Sequence, residues 1–110
     1  MNGSDEHDLV GEVLGDLGDV VIKVGPVDSI VATVRGRAAT LVYRGKKEVG
    51  GVKGPAWELM LDDALGWRFA AILVGKRHAL ERARKWLEGT SFEELTASLR
   101  HVAWRVTKDE

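Results

Sequence analysis

Residues able to do chemistry are few in this chain, and they are scattered. The three histidines, His7, His78 and His101, stand alone, without a partner at metal-ligand spacing. There is no cysteine, which excludes disulfides, thiolate metal sites and cysteine nucleophiles. Asp62-Asp63 is a pair of carboxylates, but adjacent acids between two apolar runs far more often form a turn than an acid–base pair. Gly45-Lys46-Lys47 lacks the spacing of a Walker loop and the Ser or Thr that follows its lysine. No Gly-x-Ser-x-Gly occurs. Gly51-Val52-Lys53-Gly54 has the Gly-x-x-Gly form of a KH loop but does not sit between two helices, as that module requires. The expectation is a protein that is not an enzyme and carries no cofactor or metal.

Groups that bind rather than react are more numerous. Arg44, Lys46, Lys47 and Lys53 lie in or beside a glycine-rich stretch, 45–55, whose exposed backbone N–H groups would let a phosphate approach closely. The plainer reading is a solvated hairpin loop. Strand alternation gathers Arg35, Arg44 and Arg68 with Thr33, Thr40 and Met60 on one sheet face. Such a face either tracks a phosphate backbone or is the wet side of an antiparallel sheet. Lys76, Arg77 and His78 open a helix at its positive end, and Glu88 closes it at its negative end. Both placements oppose the macrodipole by a few tenths of a kcal/mol each, which would suit an anion bound at the helix start.

Four tryptophans are dense for 110 residues. Trp57 and Trp67 fall on an apolar sheet face with Tyr43 and Phe69, where core packing is the first explanation. Trp86 lies at the edge of a helical stripe beside Arg82, placed to stack on a base.

The elements that must position these groups centre on Ala56–Val74. Two apolar arms flank the turn Asp62–Gly66, the pattern of a β-hairpin. Trp57, Leu59 and Leu61 share a face, as do Trp67, Phe69, Ala71 and Leu73, with Arg68 opposite. Upstream, Val20–Val24 reads as a strand, and Ser29–Arg35 and Ala38–Arg44 read as a hairpin about Gly36. Ile30, Ala32, Val34, Ala39, Leu41 and Tyr43 form its apolar face. Lys76–Glu88 is a clear helix, with Ala79, Leu80, Ala83, Trp86 and Leu87 on a stripe about 120° wide. Ser91 and Glu94 form a capping box for another helix, read to about residue 105, although Val102, Trp104 and Val106 also alternate as a strand would. Residues 4–17 form a short helix capped by Ser4, with Asp5 and Glu6 in its first turn.

The expected architecture is therefore α+β: an antiparallel sheet of four to five strands with two to three helices packed on one face. Residues 1–18 are an acidic N-terminal segment and residues 19–110 a single domain.

Composition supports one core. Apolar residues make up 45% of the chain, and no run reaches the roughly 20 residues of a membrane helix. The polar, acidic start does not read as a signal or transit peptide, so a cytoplasmic location is expected. The net charge of −1 conceals a split. Residues 1–19 hold six acids and no base, and the remainder carries 16 bases against 11 acids, a balance of +5. A basic body suggests an anionic partner. The chain has no glutamine and one asparagine, Asn2. That scarcity, with abundant Arg, Lys and Glu, is expected of a heat-adapted source, though a GC-rich genome produces a similar bias.

Trp57-Glu58-Leu59, Gly66-Trp67-Arg68-Phe69 and the helix end Trp86-Leu87-Glu88-Gly89 together resemble the ThermoDBP family, single-stranded-DNA-binding proteins of heat-loving archaea. The resemblance covers residues 19–106. It implies a small antiparallel sheet backed by helices, and a cleft in which bases meet apolar and aromatic side chains while the backbone meets basic groups. It also implies dimerisation through a C-terminal leucine zipper, from which this chain departs, because the sequence reaches Glu110 without a heptad extension.

The resulting expectation is low-specificity binding of single-stranded DNA, or RNA, in DNA replication and repair. The expected contacts are Arg35, Arg44, Lys46, Lys47, Lys53, Trp57, Trp67, Arg68, Phe69, Lys76, Arg77, Arg82 and Trp86, in a protein that is a monomer or a homodimer. The competing reading is a small protein–protein interaction module with no nucleic-acid role.

Overall fold

The computed structural model describes residues 9–25, 28–97 and 102–108. The readings that fall on Ser4, Asp5, Glu6, His7 and His101 lie outside the described residues.

Six strands form one antiparallel sheet in chain order: β1 (Val21–Gly25), β2 (Ser29–Val34), β3 (Arg37–Val49), β4 (Val52–Asp62), β5 (Trp67–Val74) and β6 (Arg105–Lys108). The helices are α1 (described residues 9–14), α2 (Lys76–Leu87) and α3 (Phe92–Thr96). The α+β class is as expected, with six strands in place of four to five.

The extra strand comes from the C-terminal stretch. The capping box predicts helix to about residue 105, but α3 ends at Thr96, and residues 105–108 pair with β5, Phe69 opposite Val106. The alternation of Val102, Trp104 and Val106 was the stronger signal there. A strand that completes a sheet gains ladder hydrogen bonds that local helix propensity does not supply.

The second difference is the glycine-rich stretch. Instead of a loop, β3 and β4 continue to a tight turn at Gly50-Gly51, with Val49 opposite Val52 and φ of +59° and +83°. Lys46-Lys47-Glu48 carries no apolar side chain, so hydrophobic alternation is silent there while the ladder begun at Tyr43 and Trp57 propagates. The β2–β3 turn is equally tight: Arg35 and Gly36, at φ of +48° and +85°, have the sign pattern of a type I′ hairpin.

Register fixes two faces. Ile30 opposes Leu41, Leu41 opposes Leu59, and Leu59 opposes Ala71, so one continuous apolar row crosses four strands. Val10, Val13 and Leu14 of α1, the expected stripe of α2, Leu95 of α3 and Val102 close over this face. Burying each such aliphatic side chain stabilises by about 1.5–3 kcal/mol. Arg84 staples α1 to α2, its Nη1 donating to the Val13 carbonyl at 2.7 Å and pairing with Asp16.

The opposite face carries Val31, Thr33, Thr40, Val42, Glu58, Met60, Arg68 and Ile72, by the same register. Among the described residues, none of these joins the helix-covered core. No helix of the described residues is long and apolar enough to cross a membrane.

Candidate nucleic-acid interface

The helix-free face is organised around one acid. Glu58 is the buried charged residue of the described core, 8% exposed. Its Oε1 accepts from Nε of Arg44 at 2.8 Å and from Arg44 Nη2, and its Oε2 accepts from Nη2 of Arg105 at 2.7 Å. The Arg44 hydrogen bonds hold its carboxyl below the ordinary value; the charges of Arg44 and Arg105 add to this, and burial works against it. One carboxylate thus aims two guanidinium groups.

A bulge brings in a third cation. The β3–β4 register slips between Tyr43 and Lys46, at Gly45, whose φ of +83° favours glycine. The extra residue reverses the alternation that follows. Lys47, three positions after Arg44, therefore shares Arg44's face, whereas regular alternation assigns that place to Lys46. Arg44, Lys47 and Arg105 line a depression of about 550 Å³, walled on its apolar side by Val49, Ile72 and Ala103.

A second depression, of about 560 Å³, lies where the β4–β5 turn meets β6 and is lined by Asp62, Asp63, Gly66, Trp67, Arg68, Thr107 and Lys108. Asp63 Oδ1 accepts from the backbone N–H groups of Leu65 and Trp67, each at 2.9 Å, so it is a turn former, as its sequence suggests. Arg68 pairs with Asp62, Nε to Oδ1 at 2.7 Å. Trp67 is 37% exposed, and Lys108 Nζ stands 5.3 Å from its ring centroid.

The remaining expected contacts disperse. Arg35 sits in the β2–β3 turn rather than on the sheet face and meets Asp19 at 3.4 Å. Lys46 and Lys53 are exposed on the distal β3–β4 ribbon, with Lys53 opposite Glu48. Arg77 pairs with Glu12, and Lys76 Nζ lies 5.3 Å from the Trp57 ring. These partners offset the unfavourable placement of cations at the start of α2. Arg82 is half-buried on α2.

Most of the aromatics are interior. Trp57 is 4% exposed and packs on Tyr43 with ring centroids 5.2 Å apart. Trp86, read as an edge residue ready to stack on a base, is 2% exposed. Its Nε1 donates to the Asp62 carbonyl at 3.1 Å, and the Arg37 guanidinium covers its ring at 4.1 Å. Phe69 stacks on Phe92 at 4.0 Å, and Phe92 meets Trp104 edge-on. A stripe-edge position on a helical wheel does not reveal that another strand lies against it, and β3 supplies the cover here. Of the expected stacking rings, Trp67 alone is exposed.

The sequence reading missed Arg105, Thr107 and Lys108, all on β6, along with the organising role of Glu58. Recognising the Trp104–Val106 alternation as a strand would have placed Arg105 on the helix-free face.

No protein-family model, curated protein or solved structure matches the chain.

Proposed function

We propose that this protein binds single-stranded nucleic acid with low sequence specificity through the helix-free face of its sheet. The observation that carries this reading is Arg44 and Arg105 held by the buried Glu58 carboxylate, with Lys47 lining the same open depression. Three cations against one acid leave a local balance of +2. Guanidinium groups fixed by a carboxylate lose little further freedom on meeting a phosphate oxygen. Aliphatic walls beside them offer a base a sequence-tolerant surface. The resemblance to the ThermoDBP family points the same way.

The test is anisotropy of a labelled oligo-dT of about 20 nucleotides. Binding weakens with salt, with a slope of log K against log salt near −0.7 per neutralised phosphate, or about −2 for three cations. Lys47→Ala reduces that slope by about 0.7. Absence of binding at low salt sinks the proposal. It would favour the second reading, a protein-docking face, which rests on the half-buried Val31, Val42, Met60 and Ile72 across the same surface.

A further inference from the structure

We infer that the β3–β4 ribbon builds a docking groove for an acidic protein segment that carries a branched aliphatic residue among its carboxylates. Such docking goes beyond the nucleic-acid binding proposed above and does not depend on it. The ribbon runs past the end of β5, whose last residue, Val74, pairs with Ala56. Two features lay it beside β5. The bulge at Gly45 bends its strand. Gly54 lets the ribbon backbone come close to Val74, because a Cβ at that position would stand 3.0 Å from Val74 Cγ1. The tip residues Val49 and Val52 thus reach the same hollow as Ile72 and Val74 of β5.

That hollow is a slot of about 70 Å³, which His78 and Val102 also line. It shares Val49 and Ile72 with the depression that holds Arg44, Lys47 and Arg105. Cations and slot therefore form one continuous groove. Volume decides what the slot takes. An apolar cavity of about 150 Å³ holds one benzene ring. Half that volume is too small for a nucleobase and fits an isopropyl or isobutyl group. Nucleic acid carries no such group, whereas Val, Leu and Ile do. Nor does nucleic-acid binding account for Val52, an aliphatic side chain 56% exposed at the ribbon tip.

Charge decides the neighbours of that aliphatic group. Arg44 gives Glu58 its Nε and Nη2, and Arg105 gives its Nη2. Each guanidinium carries five N–H donors in a planar fork that matches a carboxylate. With Lys47 in the same depression, and Lys53 next to Val52 in the chain, the groove complements Asp and Glu side chains.

The probe is a fluorescein-labelled hexapeptide of five aspartates and one internal leucine, compared in anisotropy with the same peptide carrying alanine for leucine. The native protein should bind the leucine peptide about 10-fold more tightly. Val52→Asn should lose most of that preference and leave oligo-dT affinity unchanged. Arg105→Ala should weaken both peptides alike. Equal binding of the two peptides by the native protein, or binding of neither, overturns the docking groove and leaves the oligo-dT result standing. A preference for leucine that survives Val52→Asn in full also overturns it, because the aliphatic group then sits elsewhere. Leucine-dependent peptide binding without oligo-dT binding at low salt keeps the groove and removes the nucleic-acid function.

Discussion

Replacing Glu58 by glutamine should make the protein less stable and its anion affinity higher. The side chain is 10% exposed, while its partners Arg44 and Arg105 are 48% and 68% exposed. Breaking a fully buried ion pair costs about 3–5 kcal/mol. These arginines are half in water, so each pair is discounted to about 0.5–1 kcal/mol. Two pairs give about 1–2 kcal/mol, a fall in Tm of about 5–10 °C for a domain near 100 residues.

The sign with pH follows from the lowered carboxyl. Glu58 sits below its ordinary value of 4.5 because Arg44 hydrogen-bonds to it, with Arg44 and Arg105 adding charge. Its contribution is complete above that ordinary value and is lost as pH falls through the lowered one. The Tm gap between native and Glu58→Gln proteins should therefore be full at pH 7 and narrow as acid protonates the native carboxylate, beginning below its ordinary value. Binding moves the other way. Removing one negative charge beside the phosphate seat favours the anion; two charges about 4 Å apart in water interact by about 1 kcal/mol, close to 5-fold in affinity. Thermal melts in a series from pH 7 downward, with anisotropy at pH 7, decide it. A gap that does not narrow with acid, or a variant that binds more weakly, refutes the reasoning.

Arg37→Ala should cost about 2–3 kcal/mol in urea unfolding, because Nη1 donates to the carbonyl of Trp86 in the last turn of α2 at 2.9 Å and to that of Thr90 beyond it at 2.8 Å while the guanidinium covers the Trp86 ring; Arg37→Lys should recover little of it. Removal of residues 1–18 should abolish cooperative unfolding rather than tighten nucleic-acid binding, since Val10, Val13 and Leu14 are core residues whose burial is worth about 5–8 kcal/mol together. Asp16→Asn should leave oligo-dT affinity within about 2-fold, because Asp16, its carboxyl lowered by the Arg84 hydrogen bond, meets α2 on the helix-covered side. Gly45→Val should lower both Tm and oligo-dT affinity, by straining the φ of +83° that turns Lys47 toward Arg44.

Alternation alone identified most of the sheet. The apolar faces of β2 through β5 stand in the structure as their residue types dictate, with Leu41, Leu59 and Ala71 in one row. The capping box also forms, Glu94 N donating to Ser91 Oγ at 3.2 Å. Hydrophobic pattern carries no information where side chains are uniformly polar, which hid the extension of β3 past Arg44. It also cannot show an insertion of one residue, so the face shared by Arg44 and Lys47 became apparent only from the Gly45 bulge. The expected arginines were individually visible, but their carboxylate partners were not. Asp19, Glu58 and Asp62 lie 16, 14 and 6 positions from the cations they meet, and only folding brings them together.

The strict agreement of strand order with chain order affects how the molecule assembles. From β1 to β5 each strand finds its partner across a short turn, so that part of the sheet can grow as a zipper from any hairpin, whereas β6 reaches β5 only across residues 75–104. Helix α1 depends on a still more distant partner. Its anchor, Arg84, is 71 positions from Val13 and 68 from Asp16. During synthesis Val10, Val13 and Leu14 emerge before α2 and therefore wait for it before they can be buried. For that interval the nascent chain exposes an apolar stripe beside a sheet that is still incomplete, the condition under which folding chains associate with one another.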